Sequence, residues 1–186
     1  CACTTPGSYH MQYGICNETF GNWPLKRICE FAADTGYTGI EIAPFTLGEN
    51  PHELSSNQRG DLRRIIAQAG LECIGLHWLL AKTDGLHVTS PDAATRSRTI
   101  SYLTELARLC RDLGGKTLVF GSPQQRSLVA DVTEQDAHLF LQEVFSALVP
   151  VLEETDTVLA LEPLAPIETD VLTTADETRR LIDLIG

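Results

Sequence analysis

Three carboxylates stand close together in residues 158–170, VLALEPLAPIETD: Glu162, Glu168 and Asp170. The first four residues of that segment are an unbroken apolar run, the pattern of a strand buried on both faces. The run stops at Glu162, and Pro163 follows. A carboxylate at the end of a buried strand is costly unless something pairs with it or uses it. Its chemistry suits two tasks: a hard oxygen ligand for a divalent cation, and an acid/base that moves a proton at carbon. The bland alternative is a structural pair with a buried arginine. Glu168 reads as a ligand contact in the following loop, against an ordinary solvated loop residue. His77 closes another short apolar run, residues 73–77, and Trp78 comes next. Such a histidine either touches a ligand or is a hydrogen-bonded core residue. Trp78 is either a flat wall for an apolar ligand face or packing beneath the long loop that follows. Glu41, inside the apolar stretch GIEIA, reads as an interior carboxylate with a structural role. Arg126 could bind a phosphate, but it reads first as a solvated surface residue. Cys16 and Phe20 fall where they could line the same mouth.

The elements that position these groups alternate along the chain. Apolar runs at residues 13–16, 39–43, 73–77, 117–120 and 158–161 are the expected strands. Between and after them, apolar residues recur at helical spacing: Leu25, Ile28, Cys29, Ala32; then Leu62, Ile65, Ile66, Ala69; then Leu103, Leu106, Ala107, Cys110. Ala137, Leu141, Val144 and Leu148 mark a fourth helix, kinked near its end by Pro150, and Leu181, Ile182 and Ile185 a fifth. Gly36, Gly70 and Gly114 punctuate helix ends; Ser90–Pro91 and the pair Thr174/Glu177 read as helix starts. The result is five βα units. That spacing fits a (β/α)₈ barrel, which typically needs about 250 residues, and it also fits a complete flavodoxin-like five-stranded sheet. Periodicity leaves both open. No glycine-rich phosphate fingerprint follows the first strand, which removes the usual nucleotide reading of the open sheet. In both architectures the C-terminal strand ends converge on one ligand-binding mouth.

Composition narrows the partners. The chain has 186 residues, 43% of them hydrophobic, enough for a substantial single-domain core. A net charge of −11 with no Lys/Arg run lacks the footprint of a nucleic-acid binder. No apolar stretch approaches the roughly 20 residues that span a bilayer. The six cysteines form no CxxC pair, and the last four occupy apolar positions, as reduced thiols in the cytoplasm would. Residues 1–10, CACTTPGSYH, lack periodicity and read as a non-native leader or scar, leaving residues 11–186 as the domain.

Four segments then carry a resemblance: LEPLAPIETD at 161–170, GIEIAP at 39–44, GLHWLL at 75–80 and FGSPQQR at 120–126. With these, the chain from Met11 onward resembles the xylose-isomerase-like TIM-barrel family of sugar and sugar-phosphate isomerases and epimerases. It is similar to the first five βα units of D-tagatose and D-psicose 3-epimerases, so the implied fold is an incomplete (β/α)₈ barrel. Those enzymes carry Glu-Pro-Leu, then Asn-Arg, then Glu-Thr-Asp. The resemblance implies that Glu162 is metal ligand and catalytic acid/base and that Glu168 contacts the sugar, as would His77 and Trp78. Ala165–Pro166 depart from the Asn-Arg pair, which separates this chain from those enzymes in the choice of sugar. The implied cofactor is Mn²⁺ or Mg²⁺, with Co²⁺ as a third choice. The other implied ligands, an Asp, a His and a Glu on strands six to eight, lie outside this sequence, as does a second catalytic glutamate. The chain alone is therefore expected to be an inactive part of a metal-dependent epimerase or isomerase that acts on a sugar or sugar phosphate, with homo-oligomers open. Two alternatives stand beside it: an endonuclease IV-like metal-dependent barrel, which the acidic charge disfavours, and a non-catalytic remnant that binds a partner through its sheet edges.

Overall fold

The computed structural model describes residues 11–186; the expected leader, residues 1–10, lies outside them. Five strands form one parallel sheet in the order of the sequence: β1 (Gly14–Cys16), β2 (Gly39–Ile42), β3 (Glu72–Leu76), β4 (Thr117–Phe120) and β5 (Val158–Leu161). The helices between and after them are α1 (Leu25–Thr35), α2 (Ser56–Gln68), α3 (Ala93–Leu113), α4 (Glu134–Thr155) and α5 (Ala175–Ile185). Sequential parallel order is what short right-handed crossovers produce, and it excludes the 2-1-3-4-5 order of a flavodoxin-like sheet. The fold is a partial (β/α)₈ barrel.

Strand alternation divides the sheet into two faces. Ile40, Ile42, Leu118 and Phe120 are buried in the core with the apolar stripes of the helices. Those stripes are the ones the spacing predicts: Ile28, Cys29 and Ala32 on α1, Leu103, Leu106 and Cys110 on α3, Leu141, Val144 and Leu148 on α4. Phe120 meets Phe145 edge-on, with ring centroids 5.0 Å apart. Glu41, between Ile40 and Ile42, points to the opposite face. The β2–β3 register shifts at Ile40/Glu41, so Ile40 faces Cys73 but Glu41 faces Gly75. A Cβ on Gly75 would lie 1.8 Å from the Thr117 carbonyl oxygen, so only glycine lets β4 come this close.

Helix ends refine the sequence reading. α3 starts after Asp92, not at Ser90–Pro91: the Asp92 carboxylate accepts from the N–H groups of Ala94 and Thr95, while the Ser90 hydroxyl accepts from the Asp92 N–H. α4 runs through Pro150 to Thr155. α5 has half of the expected capping box. Thr174 accepts from the Glu177 N–H, but the Glu177 carboxylate reaches past the cap to the N–H groups of Leu172 and Thr173, at 2.7 and 2.8 Å. Cys16, Cys29, Cys73 and Cys110 are free thiols, and burial pushes the first two up to about 11 and the others to about 12. No helix among the described residues is long and apolar enough to cross a membrane.

Glu177 thus fastens the loop between β5 and α5. Burial alone raises its carboxyl pKa; the Leu172 and Thr173 N–H groups and nearby His138 outweigh that and hold it below the usual 4.5. A carboxylate with a depressed folded-state pKa stabilises the fold above its unfolded pKa and loses that effect as pH falls through the folded value. Glu177→Gln should cost about 1–3 kcal/mol at pH 7, and the deficit should shrink as the pH drops below 4.5. Urea denaturation of both proteins from pH 7 to pH 3 measures the gap.

Candidate active site

Four of the strands bring a titratable side chain to the C-terminal mouth. Cys16 is the last residue of β1, and its ladder partner Glu41 is the next-to-last of β2. His77 follows β3 and Glu162 follows β5. His77 Nδ1 lies 3.2 Å from Glu41 Oε2, and His77 Nε2 lies 3.9 Å from Glu162 Oε2. The imidazole therefore stands between two carboxylates. Its pKa is raised above 6.5, first by the hydrogen bond to Glu41, with burial opposing and the charges of Glu41, Glu162 and Glu18 adding. With the proton on Nδ1, toward Glu41, the neutral ring presents the Nε2 lone pair to the mouth; the charged ring donates on both sides.

Glu162 is positioned through its backbone. Its N–H donates to the Phe120 carbonyl at 3.0 Å, extending the β4–β5 ladder by one bond. Its carbonyl accepts from Arg126 Nη1 at 2.8 Å, while Arg126 Nη2 donates to the Leu172 carbonyl at 3.4 Å. Arg126 is fully buried, so the expected solvated arginine is corrected: the loop after β4 folds it inward, where it grips the chain carrying Glu162 and leaves the carboxylate alone. Its Nε is buried without a partner. Neither carboxylate oxygen of Glu162 accepts a hydrogen bond among the described residues, and the side chain is 42% exposed. Gly121 makes room for it, since a Cβ there would come 2.5 Å from Oε2.

Trp78 follows with φ +58°, a strained backbone for a bulky residue, and its indole stacks on His77 with centroids 5.9 Å apart. It also lines a cavity of about 700 Å³ together with Asn17, Glu18, Trp23, Phe45 and Lys82. His77, Glu162 and Glu168 are not among the residues lining that cavity; Trp78 joins the two regions. Glu168 is exposed on the loop after β5, where its carboxylate accepts from the Ala165 N–H at 3.2 Å. The structure thus brings His77, Trp78 and Glu162 together and leaves Glu168 apart, in its own turn. Two residues the sequence reading undervalued hold the site. Glu41 is the partner of His77, and buried Asn17 ties the turn after β1 to the end of β2, accepting from the Ala43 N–H and donating to the Thr46 hydroxyl. A carboxylate in one buried strand and a histidine closing the next was the available signal for the first; nothing in the pattern marked Asn17.

A half-exposed carboxylate that accepts no hydrogen bond among the described residues suits one ligand position of a hard divalent cation. Residues 29–186 match the model of the family described as xylose isomerase-like TIM barrel. The chain belongs to that family. Solved structures share its fold at low identity. A D-psicose 3-epimerase from Clostridium cellulolyticum H10 aligns with a TM-score of 0.81 and 18% identity, over 95% of this chain and 60% of that one. An L-ribulose 3-epimerase aligns with 0.75 and 21%, over 95% and 58%. The 3-keto-D-glucoside 4-epimerase YcjR from E. coli gives 0.76 and 17%, over 95% and 65%. The chain thus spans about three-fifths of the length of these solved structures. No curated protein sequence matches it.

Arg126→Met should destabilise the fold by about 2 kcal/mol, because it strands the Glu162 carbonyl without its donor and leaves the Leu172 carbonyl with only the Leu164 N–H. Arg126→Lys should recover only part of that, having no planar fork to reach both. Thermal and urea unfolding of the two variants provides the comparison.

Proposed function

We propose that this chain carries part of the active site of a divalent-metal-dependent epimerase or isomerase acting on a sugar or sugar phosphate. The observation that supports it best is the free Glu162 carboxylate at the end of β5, 3.9 Å from the His77 imidazole, in a barrel of this family. Similar solved structures include proteins described as D-psicose and L-ribulose 3-epimerases, which favours a ketose among substrates. Mn²⁺ or Mg²⁺, held by Glu162 and by an Asp, a His and a Glu on strands six to eight outside this sequence, would supply Lewis-acid polarisation of neighbouring sugar oxygens.

The chain's own residues then have separate tasks. Glu162 takes a proton from the carbon beside the carbonyl, giving an enediolate, or returns one; its exposed oxygens can reach a sugar in the mouth. His77, fixed by Glu41, turns Nε2 toward that sugar and hydrogen-bonds a hydroxyl. Trp78 covers an apolar ring or chain face, and its strained backbone holds the indole at the mouth. Glu168 enters by movement of its exposed turn, exchanging the Ala165 N–H for a sugar hydroxyl. Ala165–Pro166 form part of that turn, so the turn's shape is where the choice of sugar resides.

The test is ketose interconversion with added Mn²⁺, with metal content measured on each variant. In a full-length protein that carries the remaining ligands, Glu162→Gln should abolish turnover and lower metal occupancy together, since a neutral amide is a poorer ligand for a hard cation. Glu168→Gln should raise KM or lower kcat with metal retained. Residues 1–186 by themselves should show no turnover, one carboxylate being too few ligands to fix the ion. Near-normal activity and metal content in Glu162→Gln would refute the assignment.

A further inference from the structure

The mouth holds a second group of donors that the epimerase reading does not need as ligands. Cys16 Sγ, a Glu41 carboxylate oxygen and a His77 ring nitrogen all lie within 4.8 Å of one another. They come from three adjacent strand ends, and the geometry is built into the ladder. Cys16 is the direct cross-strand partner of Glu41, and the register shift at Ile40/Glu41 sets Glu41 opposite Gly75, two residues before His77. Such shifts commonly re-aim a side chain beside a functional site. All three are partly buried, which excludes most competing water without closing the path from the mouth.

We propose that Cys16, Glu41 and His77 form a second metal site, selective for a borderline-soft ion such as Zn²⁺ and separate from the hard-cation position at Glu162. A tetrahedral zinc ion bonds nitrogen and oxygen at about 2.0–2.2 Å and sulfur at about 2.3 Å, so its ligand atoms stand roughly 3.3–3.6 Å apart. The 3.2 Å between His77 Nδ1 and Glu41 Oε2 already matches one edge of that tetrahedron. The remaining separations are at most 4.8 Å and need to close by up to about 1.5 Å, within reach of side-chain rotation. One sulfur, one nitrogen and one carboxylate oxygen leave the fourth position for water, and a thiolate favours zinc over Mg²⁺ or Mn²⁺. Binding releases the thiol proton of Cys16 to solvent, and the ion replaces the Nδ1 proton of His77, which passes to solvent from the charged ring or to Nε2 from the neutral one. A second cluster, Glu134, His138 and Glu177, falls in the same distance range. It is a poorer candidate because both Glu177 oxygens already accept backbone N–H groups.

The site has a consequence for the mouth: an ion on Nδ1 fixes the remaining ring proton on Nε2, so His77 could then only donate to a sugar oxygen and not accept from a hydroxyl. The decisive readout does not involve turnover, which keeps it independent of the epimerase reading. Metal-stripped protein is titrated with Co²⁺ and its near-ultraviolet spectrum recorded. A sulfur-to-cobalt charge-transfer band should appear in the unmodified protein and in Glu162→Gln, and disappear in Cys16→Ser. Zinc affinity, by competition with a chromophoric chelator, should fall at least roughly tenfold in Cys16→Ser and in Glu41→Gln. X-ray absorption at the zinc edge of the unmodified protein needs no variant and should show one sulfur neighbour at about 2.3 Å. No band at saturating Co²⁺, a band that survives Cys16→Ser, or a zinc shell without sulfur would each overturn the proposal.

Discussion

Parallel pairing in sequential order is the constraint on which the rest of this molecule depends. Each strand runs the same way as its neighbour, so every strand end opens onto the same mouth, whatever the intervening helix contributes. Once that ladder is set, a side chain's access to the mouth depends on where its strand stops and on the local register. The shift at Ile40/Glu41 is the clearest case. It changes the partner of Glu41, and the neighbouring strand delivers His77 to its carboxylate. Gly75 and Gly121 serve the same end by leaving out a Cβ, one so that β4 can close on β3, the other so that a carboxylate can stand at the mouth.

The second determinant is a cation that never meets solvent. Arg126 reaches the two ends of the loop between β5 and α5 through the carbonyls of Glu162 and Leu172, and Glu177 takes the N–H groups of Leu172 and Thr173 from the other side. The loop is therefore held by its backbone at both ends, while residues 165–168 form an exposed turn between them. Rigid ends and a free middle suit a segment whose first residue must be placed accurately and whose fourth to seventh residues face the solvent. A guanidinium bonded to carbonyls also places positive charge beneath Glu162 without neutralising it, since no carboxylate oxygen of Glu162 touches it among the described residues.

Much of this was legible in the sequence, for definite reasons. The strands were readable because short apolar runs bounded by polar turns leave few other folds, and the apolar stripes of α1, α3 and α4 repeat at the helical interval. Glu162 and His77 stood out because a polar residue closing an apolar run needs an explanation. What was not legible depended on through-space geometry. Arg126 looked like a surface residue because arginine usually is one, and only the folding back of its loop shows otherwise. The α3 start was misplaced because Ser90–Pro91 is a good local signal, yet Asp92 offers its carboxylate to two N–H groups and prevails. Glu41 was undervalued because its partner comes from the next strand, across a register shift that no sequence period records.

The aromatic content of the cavity has an optical consequence. The chain has two tryptophans, Trp23 and Trp78, and both line the same space beside the mouth. Trp23 lies under the guanidinium of Arg27, 3.8 Å from its ring centroid, and Trp78 stacks on an imidazole whose affinity for protons is raised. A protonated imidazole in contact with indole quenches its emission. The tryptophan fluorescence of this protein therefore has a local component. It originates at the wall of the cavity and should brighten as His77 loses its proton.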